Sequence, residues 1–316
     1  MSYKRKMYMN IVTLTLNPAI DVHCVSRDFK PYHESYAEIT SRDAGGKGVN
    51  ISRALAAFGV DSLAVLIAGD ENGKDFCNIL QKEGINVTPV FTKGRIRENI
   101  TIHEDGKAET RISFSGFRCS GTELSLIAQR IGEVDGDTVV TFTGSIPDGI
   151  AKDDVLALLG AFKEKGAKIV IDSRSVSPED IKEFKPWLIK PNREEAEKYF
   201  GVRINSAEDA ATLAAELYNA GVENAMISLG GEGLILANRE GVFKAISPKI
   251  EVLSTIGAGD SAIAGFIDAV SKGAKAEEAV RRAAAFGSAA CMREGTDAPL
   301  MGDVERLERE ITVTKF

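Results

Sequence analysis

From residue 62 to residue 246 the sequence alternates between short apolar runs and longer runs whose apolar residues recur every three or four positions. Such alternation calls for βαβ units, which set parallel strands side by side and lay helices across the faces of the sheet. Strands are expected at 62–68, 87–91, 138–143, 168–172, 187–190, 225–229, 234–237 and 242–246. Helices are expected at 73–83, 153–165, 178–184, 193–200 and 207–220. An earlier β-rich run at 10–16 is stopped by Asn17-Pro18, and a helix opening near Gly45 ends at Gly59. The C-terminal part reads as helical at 258–271, 276–292 and 303–311, after a short extended run at 250–253. The expected fold class is α/β, a doubly wound and mostly parallel sheet flanked by helices. No repeat, low-complexity segment or Pro-rich linker divides residues 1–316, so a single domain is expected.

Two segments break the rhythm. Residues 21–26 and 36–41 mix polar and apolar positions, which suits a sheet with one wet face better than a buried parallel strand. Residues 97–103 and 107–113, joined through Glu104-Asp105-Gly106, read as a hairpin. Together these strands would form a separate small β-sheet, a discontinuous lid built from about 17–42 and 95–114.

With 316 residues the chain can bury a large core. Its net charge of -7 excludes a broad basic field, so no nucleic-acid or membrane partner is expected, and an anionic substrate must be met by locally placed Lys and Arg. Cys24, Cys77, Cys119 and Cys291 are scattered without a C-x-x-C pair, and His23, His33 and His103 lack ligand spacing. Neither a zinc site nor a disulfide framework is indicated. No apolar run approaches the roughly 20 residues of a membrane span. Lys4, Arg5 and Lys6 lead into strand-like sequence rather than a signal-peptide core, so the cytoplasm is the expected compartment, with Met9 as an alternative start.

The chemistry-bearing residues gather at glycines. In Ile256-Gly257-Ala258-Gly259-Asp260-Ser261 a loop becomes a helix. A glycine-rich helix start leaves backbone N–H groups unpaired, and with the helix dipole these favour an anion such as a phosphate. A carboxylate beside a phosphate is a poor ligand but a sensible base for an attacking hydroxyl; Asp260 is a candidate base, or else a plain N-cap.

Gly45-Gly46-Lys47-Gly48-Val49-Asn50 opens another helix. It fails the P-loop pattern, which needs Gly at Ser41 and Ser or Thr at Gly48, and it fails the Rossmann pattern too. What remains is a glycine corner with Lys47 as a cation and Asn50 one turn in, suited to a phosphorylated ligand or simply an exposed helix start. In Lys190-Pro191-Asn192-Arg193-Glu194-Glu195, Asn192 and Glu195 fall three apart on one helical face. They could hold the water shell of Mg2+ or cap a helix. Ser228-Leu229-Gly230-Gly231-Glu232-Gly233 is a glycine turn between apolar strands, open to a nucleotide or merely to a hairpin.

Taken in order, these four stretches resemble the signatures of the ribokinase-like (PfkB) carbohydrate kinases, over about residues 10–300. Within that family the chain is similar to the phosphosugar branch, which contains 1-phosphofructokinase and tagatose-6-phosphate kinase. The resemblance implies a ribokinase-like fold and ATP-dependent, Mg2+-assisted phosphorylation of a ketohexose phosphate, first of all fructose 1-phosphate at its 6-hydroxyl. Tagatose-6-phosphate kinase, 6-phosphofructokinase and a non-catalytic sugar-phosphate sensor are the alternatives.

It implies Asp260 as base, with Gly257, Ala258 and Gly259 around the transferring phosphoryl. Asp21, in Thr15-Leu16-Asn17-Pro18-Ala19-Ile20-Asp21, would contact sugar hydroxyls, with Gly45, Gly46, Lys47 and Asn50 beside it. Lys47, Arg97 and Asn99 would meet phosphate, and Ser145, in Gly144-Ser145-Ile146-Pro147, would lie on the substrate side. Lys190, Asn192, Ser228, Gly230 and Gly233 fall to the nucleotide, and Asn192 with Glu195 to the metal. Glu98 should face away from its two neighbours, since strand residues alternate. Relatives carry Asp-Thr six and five positions before the base; Ser254-Thr255 stand here, so K+ activation is not implied. A lid with an apolar outer face implies a homodimer.

Overall fold

The structure, a computed structural model, describes residues 9–104, 106 and 109–316. In chain order it runs β1 (Asn10–Thr15), β2 (Ala19–Val25), β3 (Glu38–Gly45), α1 (Lys47–Ala56), β4 (Leu63–Gly69), α2 (Gly73–Lys82), β5 (Asn86–Thr92), β6 (Arg97–His103) and β7 (Thr110–Ser113). There follow α3 (Thr122–Ile131), β8 (Thr138–Thr143), α4 (Lys152–Glu164), β9 (Lys168–Asp172), α5 (Pro178–Phe184), β10 (Leu188–Ile189), α6 (Arg193–Phe200), α7 (Ala207–Asn219) and β11 (Asn224–Ser228). The last part is β12 (Leu234–Asn238), β13 (Gly241–Ile246), α8 (Ala258–Ser271), α9 (Ala276–Cys291), α10 (Met301–Glu310) and β14 (Thr312–Lys315).

Ten strands make one sheet in the order β14-β13-β12-β11-β10-β9-β8-β1-β4-β5. β5 to β11 are parallel neighbours, and β12 to β14 are added antiparallel at one edge. Every residue of β8 is buried, as is all of β1 except Asn10, so both faces need cover. The period of two along each strand deals neighbours to opposite cores. Val12, Val140, Ile169, Ile189 and Ile227 pack on one side, and Ile11, Val139, Val170, Leu188 and Met226 on the other, with α1, α8 and α9.

The chain enters at β1, moves outward through β4 and β5, then returns to β1's other side for β8. Strand order therefore reverses between β1 and β8, leaving a crevice beyond their carboxyl ends where open α/β sheets take ligands.

The small sheet is β3-β2-β6-β7. Its register aligns Asp43, Asp21, Asn99 and Ser113 in one row, and Ser41, His23, Thr101 and Arg111 in the next on the same face. Val22, Cys24, Ile100 and Ile102 alternate to the opposite face. Glu98 also lies there and pairs with Arg42 at 3.2 Å, as expected from alternation.

The structure departs from the sequence reading in five places. Helix α3 forms within 114–137, where no element was expected; Glu123 supplies its start by accepting the amides of Ser120 and Gly121. Strand β14 follows the last helix, because Thr312 to Lys315 complete the ladder of β13. Residues 250–253 are not a strand: Leu253 N–H instead bonds the Cys291 carbonyl at 2.8 Å. Strand β3 runs past 42 to Gly45, since Ala44 and Gly45 still pair with β2. Strand β7 begins only at Thr110; Asp105, Lys107 and Ala108 lie outside the described residues, as do residues 1–8 with Lys4, Arg5 and Lys6. No described helix is long and apolar enough to cross a membrane.

Packing between α1 and β1 leaves no room at Gly48, where a Cβ would overlap Thr15 Oγ1 and press on the Leu14 carbonyl. Gly160, in α4, has open space around it. Gly48→Ala is expected to cost about 1–3 kcal/mol as an overpacking change, and Gly160→Ala to add about 0.4–1 kcal/mol by restricting the unfolded chain. Urea unfolding of the two variants checks both signs.

Candidate active site

The carboxyl ends of the parallel strands deliver polar residues to the crevice. β1 leads to Asn17, β8 to Gly144 and Ser145, β9 to Asp172 and Arg174, β10 to Lys190 and Asn192, and β11 to Ser228 and Gly230. Two cavities open there. One, of about 420 Å³, lies between the crevice and the small sheet and is walled by Asn17, Asp21, Lys47, Arg97, Asn99 and Ser145 among others. The second, of about 620 Å³, lies over β9 to β11 and is walled by Lys190, Asn192, Ser228, Gly230, Gly233 and the start of α8. Lys47, Arg111, Arg174, Gly257 and Asp260 line both, and so bound the throat that joins them.

Asp260 sits in this throat in the first turn of α8. Gly257 precedes it with φ 74°, a left-handed backbone that glycine adopts freely, and no side chain caps the helix. The first-turn amides of Ala258, Gly259 and Asp260 have no intrahelical acceptor and present an anion site. Asp260 is 5% exposed and accepts a hydrogen bond from Asn50 Nδ2 at 2.9 Å. Burial pushes its carboxyl up to about 6, even though Lys47, Asn50 and Lys190 pull the other way.

Lys47, at the start of α1, donates to Asp172 Oδ2 at 3.0 Å. Burial would raise the Asp172 carboxyl, but Lys190 and Lys47 outweigh it and hold it below the ordinary range. Two carboxylates around one lysine are thus driven apart: Asp172 is held below the ordinary range as the lysine's partner, and Asp260 is raised above it. Lys190 is buried and packs so closely on α8 that a Cβ on Gly259 would come within 2.8 Å of its Nζ. Gly45 plays the same part for Asp21, whose carboxylate occupies the space a side chain would need.

On the small-sheet side Asn99 Nδ2 donates to Asp21 Oδ1 at 2.9 Å, and burial raises the Asp21 carboxyl. Arg97 reaches the Asn17 carbonyl at 3.4 Å, and Asn17 Nδ2 donates to Ser145 Oγ at 3.1 Å. Asn17 Oδ1, Arg97 Nε and Asn99 Oδ1 are buried and find no partner among the described residues. All three residues wall the cavity, so unmet polar atoms cluster where a polyhydroxy ligand would satisfy them. Gly46, the N-cap of α1, completes the wall.

Asn192 and Glu195 come together at the start of α6, where they form a capping box: Asn192 Oδ1 accepts from Glu195 N–H at 2.8 Å and Glu195 Oε2 accepts from Asn192 N–H at 3.1 Å. Glu195 Oε1 also accepts from Arg174 Nε at 3.0 Å. A carboxylate has about four acceptor directions, so two remain for the waters of a hydrated cation. No group of three or more His, Cys, Asp or Glu suited to a metal occurs among the described residues.

All the site residues expected from the sequence except Gly45 line one or both cavities, and Gly45 packs behind Asp21. Sequence reading missed Asn17, Arg111, Asp172, Arg174 and the small-residue wall of Ala283, Ala284 and Gly287 on α9. For Asp172 a signal existed: a carboxylate ending a buried parallel strand falls at the crevice of a doubly wound sheet.

A buried carboxylate at an uncapped helix start, set in the throat between a polar cavity and a glycine-edged one, has the chemistry that moving a phosphoryl group onto an alcohol requires. The profile of the pfkB family carbohydrate kinases matches residues 14–301. The chain is 31% identical to 1-phosphofructokinase of Bacillus subtilis (strain 168), covering 97% of this chain and 100% of that one. It is 32% identical to 1-phosphofructokinase of Borreliella burgdorferi, covering 90% and 92%. The crystal structure of phosphofructokinase-2 from Escherichia coli in complex with fructose-6-phosphate superposes with a TM-score of 0.87 at 25% identity, covering 96% and 99%. The chain belongs to the pfkB family of carbohydrate kinases.

Because the base must be unprotonated to work, kcat/KM should rise with pH through about 6 and level off above it. The same carboxyl binds its proton more tightly folded than unfolded, so its contribution to stability falls as pH rises from 3.8 to about 6. Asp260→Asn should therefore gain stability at pH 8, on the order of 1–3 kcal/mol. Denaturation of both forms at pH 5 and pH 8 tests the sign.

Proposed function

We propose that this chain is a 1-phosphofructokinase, which transfers the γ-phosphoryl of ATP to the 6-hydroxyl of fructose 1-phosphate and yields fructose 1,6-bisphosphate. The observation that carries the reading is Asp260, buried in the throat with its carboxyl raised to about 6, between a cavity with unmet polar atoms and one edged by glycine. The 420 Å³ cavity takes the sugar phosphate. Asp21, Asn17 and Asn99 meet hydroxyls there. Arg97, which is absent from the nucleotide cavity's wall, holds the phosphate already present on the sugar.

ATP occupies the 620 Å³ cavity, its base against Ile250, Val252 and the small residues of α9, its phosphates reaching Lys190 and the start of α8. The hydroxyl loses its proton to Asp260 while the amides of Ala258 and Gly259 receive the phosphoryl oxygens. Lys47, held by Asp172, adds a positive charge at the point of transfer. Asn192 and Glu195 would hold hydrated Mg2+, whose chemistry there is to neutralise the phosphate charges. The small sheet serves as the lid that excludes water, which would otherwise accept the phosphoryl. An enzyme fed by ATP belongs in the cytoplasm, where ATP is kept.

A 6-phosphofructokinase is the second reading, favoured by the likeness to the enzyme solved with fructose-6-phosphate. ADP release in the presence of ATP and Mg2+ with fructose 1-phosphate, fructose 6-phosphate, tagatose 6-phosphate and the free sugars separates the choices. Fructose 1-phosphate should give the highest kcat/KM; a higher value with another sugar phosphate reassigns the substrate, and no release with any favours a sensor. Asp260→Asn should lower kcat by about 10²- to 10⁴-fold with both substrates still bound, and retained turnover would remove the base assignment.

The outer face of the lid leaves Ile39, Ile112 and Phe114 about half exposed, and a second copy of this chain covers them in the homodimer we propose. Ile39→Glu with Ile112→Glu should convert a dimer to a monomer in sedimentation.

A further inference from the structure

Three cations bound the throat between the cavities: Lys47 from α1, Arg174 from the segment after β9, and Arg111 from β7 of the small sheet. Two are already committed. Lys47 pairs with Asp172 and Arg174 with Glu195, whereas no carboxylate pairs with Arg111 among the described residues. Its only polar contact there is a long one, from Nε to Thr101 Oγ1 at 3.5 Å, across the register pair of β6 and β7.

Arg111 is exposed, and the register sets it on the cavity face of the sheet. Arg111 lies on the same face as Asp21 and Asn99, in the row that continues through Thr101 and His23. Its charge is felt at Asp21, and its side chain forms part of the wall of both cavities. Arg97, one strand inward, walls the sugar-side cavity alone. The two arginines of the small sheet are therefore not equivalent: Arg97 faces the sugar, and Arg111 faces the boundary where the γ-phosphoryl must cross.

We propose that Arg111 is a catalytic residue, carried by the lid, whose guanidinium closes onto the transferring phosphoryl. This rests on the kinase reading above. In the step it serves, the sugar hydroxyl oxygen bonds to the γ-phosphorus as the bond to the β,γ-bridging oxygen breaks; the proton goes to Asp260, and ADP leaves with the bonding electron pair. Negative charge spreads over the equatorial oxygens of the phosphoryl in that transition state. A planar fork of donors that is in ion-pair contact with no carboxylate among the described residues, Asp21 acting on it only from a distance, matches it better than a lysine point charge. Since the residue rides on the small sheet, the charge arrives with the lid, so phosphoryl transfer to water is disfavoured when no sugar has drawn the lid down.

The experiment is steady-state kinetics of Arg111→Ala and Arg111→Lys in the full chain, with ATP and the sugar phosphate varied separately. Both variants should lose about 10²- to 10³-fold in kcat, the range for removing one transition-state donor, with each KM within about threefold of wild type. Guanidinium ion at sub-denaturing concentration should restore part of the turnover of Arg111→Ala, which a merely structural role would not allow. Thermal unfolding of Arg111→Lys should match wild type, separating lost chemistry from lost fold. An unchanged kcat overturns the proposal, and so does a raised KM for the sugar phosphate with kcat kept, which would place Arg111 on the resting phosphate. A wild-type chain inactive on every sugar phosphate overturns the kinase reading itself, and that result comes before any variant is compared.

Discussion

Everything at the throat depends on keeping one carboxylate dry. Asp260 is deprived of water by α8, α1 and the strand ends around it, and its burial is the largest influence on its carboxyl. Left alone, such a group would simply protonate and be useless as a base. The remedy is counter-charge at a controlled distance. Lys47 and Lys190 lie near enough to moderate the rise, yet Lys47 gives its hydrogen bond to Asp172 and not to Asp260. The result is a base that keeps its proton affinity and remains mostly ionised at neutral pH. Replacing Asp172 as the lysine's partner would free Lys47 to bond Asp260 and depress the property that catalysis needs.

The fold supplies this geometry almost as a by-product of topology. Parallel strands buried on both faces all end on one side of the sheet, so the residues that follow them meet without any special loop. Asn17, Ser145, Asp172, Lys190, Asn192 and Ser228 come from five strands and from sequence positions far apart, yet each lies at or just beyond the carboxyl end of its own strand. The helix starts at α1, α6 and α8 face the same crevice and bring glycine, amide and capping groups to it. An overall charge of -7 is no obstacle, because Lys47, Arg97, Arg111, Arg174 and Lys190 line the two cavities and set the local charge there.

Residues that work through a local pattern were legible in the sequence. Gly257 to Asp260, Gly45 to Asn50 and Asn192 with Glu195 are helix starts, and a helix start advertises itself by glycine, a capping residue and the apolar period that follows. The parallel strands were legible for a similar reason, since a strand buried on both faces is a continuous apolar run. What was not legible depends on partners distant in sequence. Helix α3 needs Glu123 to turn back on Ser120 and Gly121, and β14 exists only because β13 offers it an edge. Asp172 reads as an ordinary polar strand end until Lys47, 125 residues away, is placed beside it. Arg111, exposed on its edge strand, gives no sign of its place until the register of the small sheet sets it on the same face as Asp21 and Asn99.

That last contrast bears on how the two sheets divide the work. The large sheet holds groups that must be ready before any ligand arrives: the base, its counter-charges and the amides of α8. In the proposed reading the small sheet holds groups whose value depends on a ligand being present, Asp21, Arg97, Asn99 and Arg111, and Asn99 Oδ1 and Arg97 Nε have no partner among the described residues. Buried polar atoms left unmet cost on the order of 1–3 kcal/mol each. If the small sheet closes as the lid we propose, a ligand that satisfies them offsets that cost only when the lid is in place, which would couple sugar binding to closure. In that reading a sugar lacking the matching hydroxyl or phosphate leaves the cost standing, so the small sheet would select among closely similar ketoses together with Asn17, Asn50 and Ser145 on the other wall of the cavity.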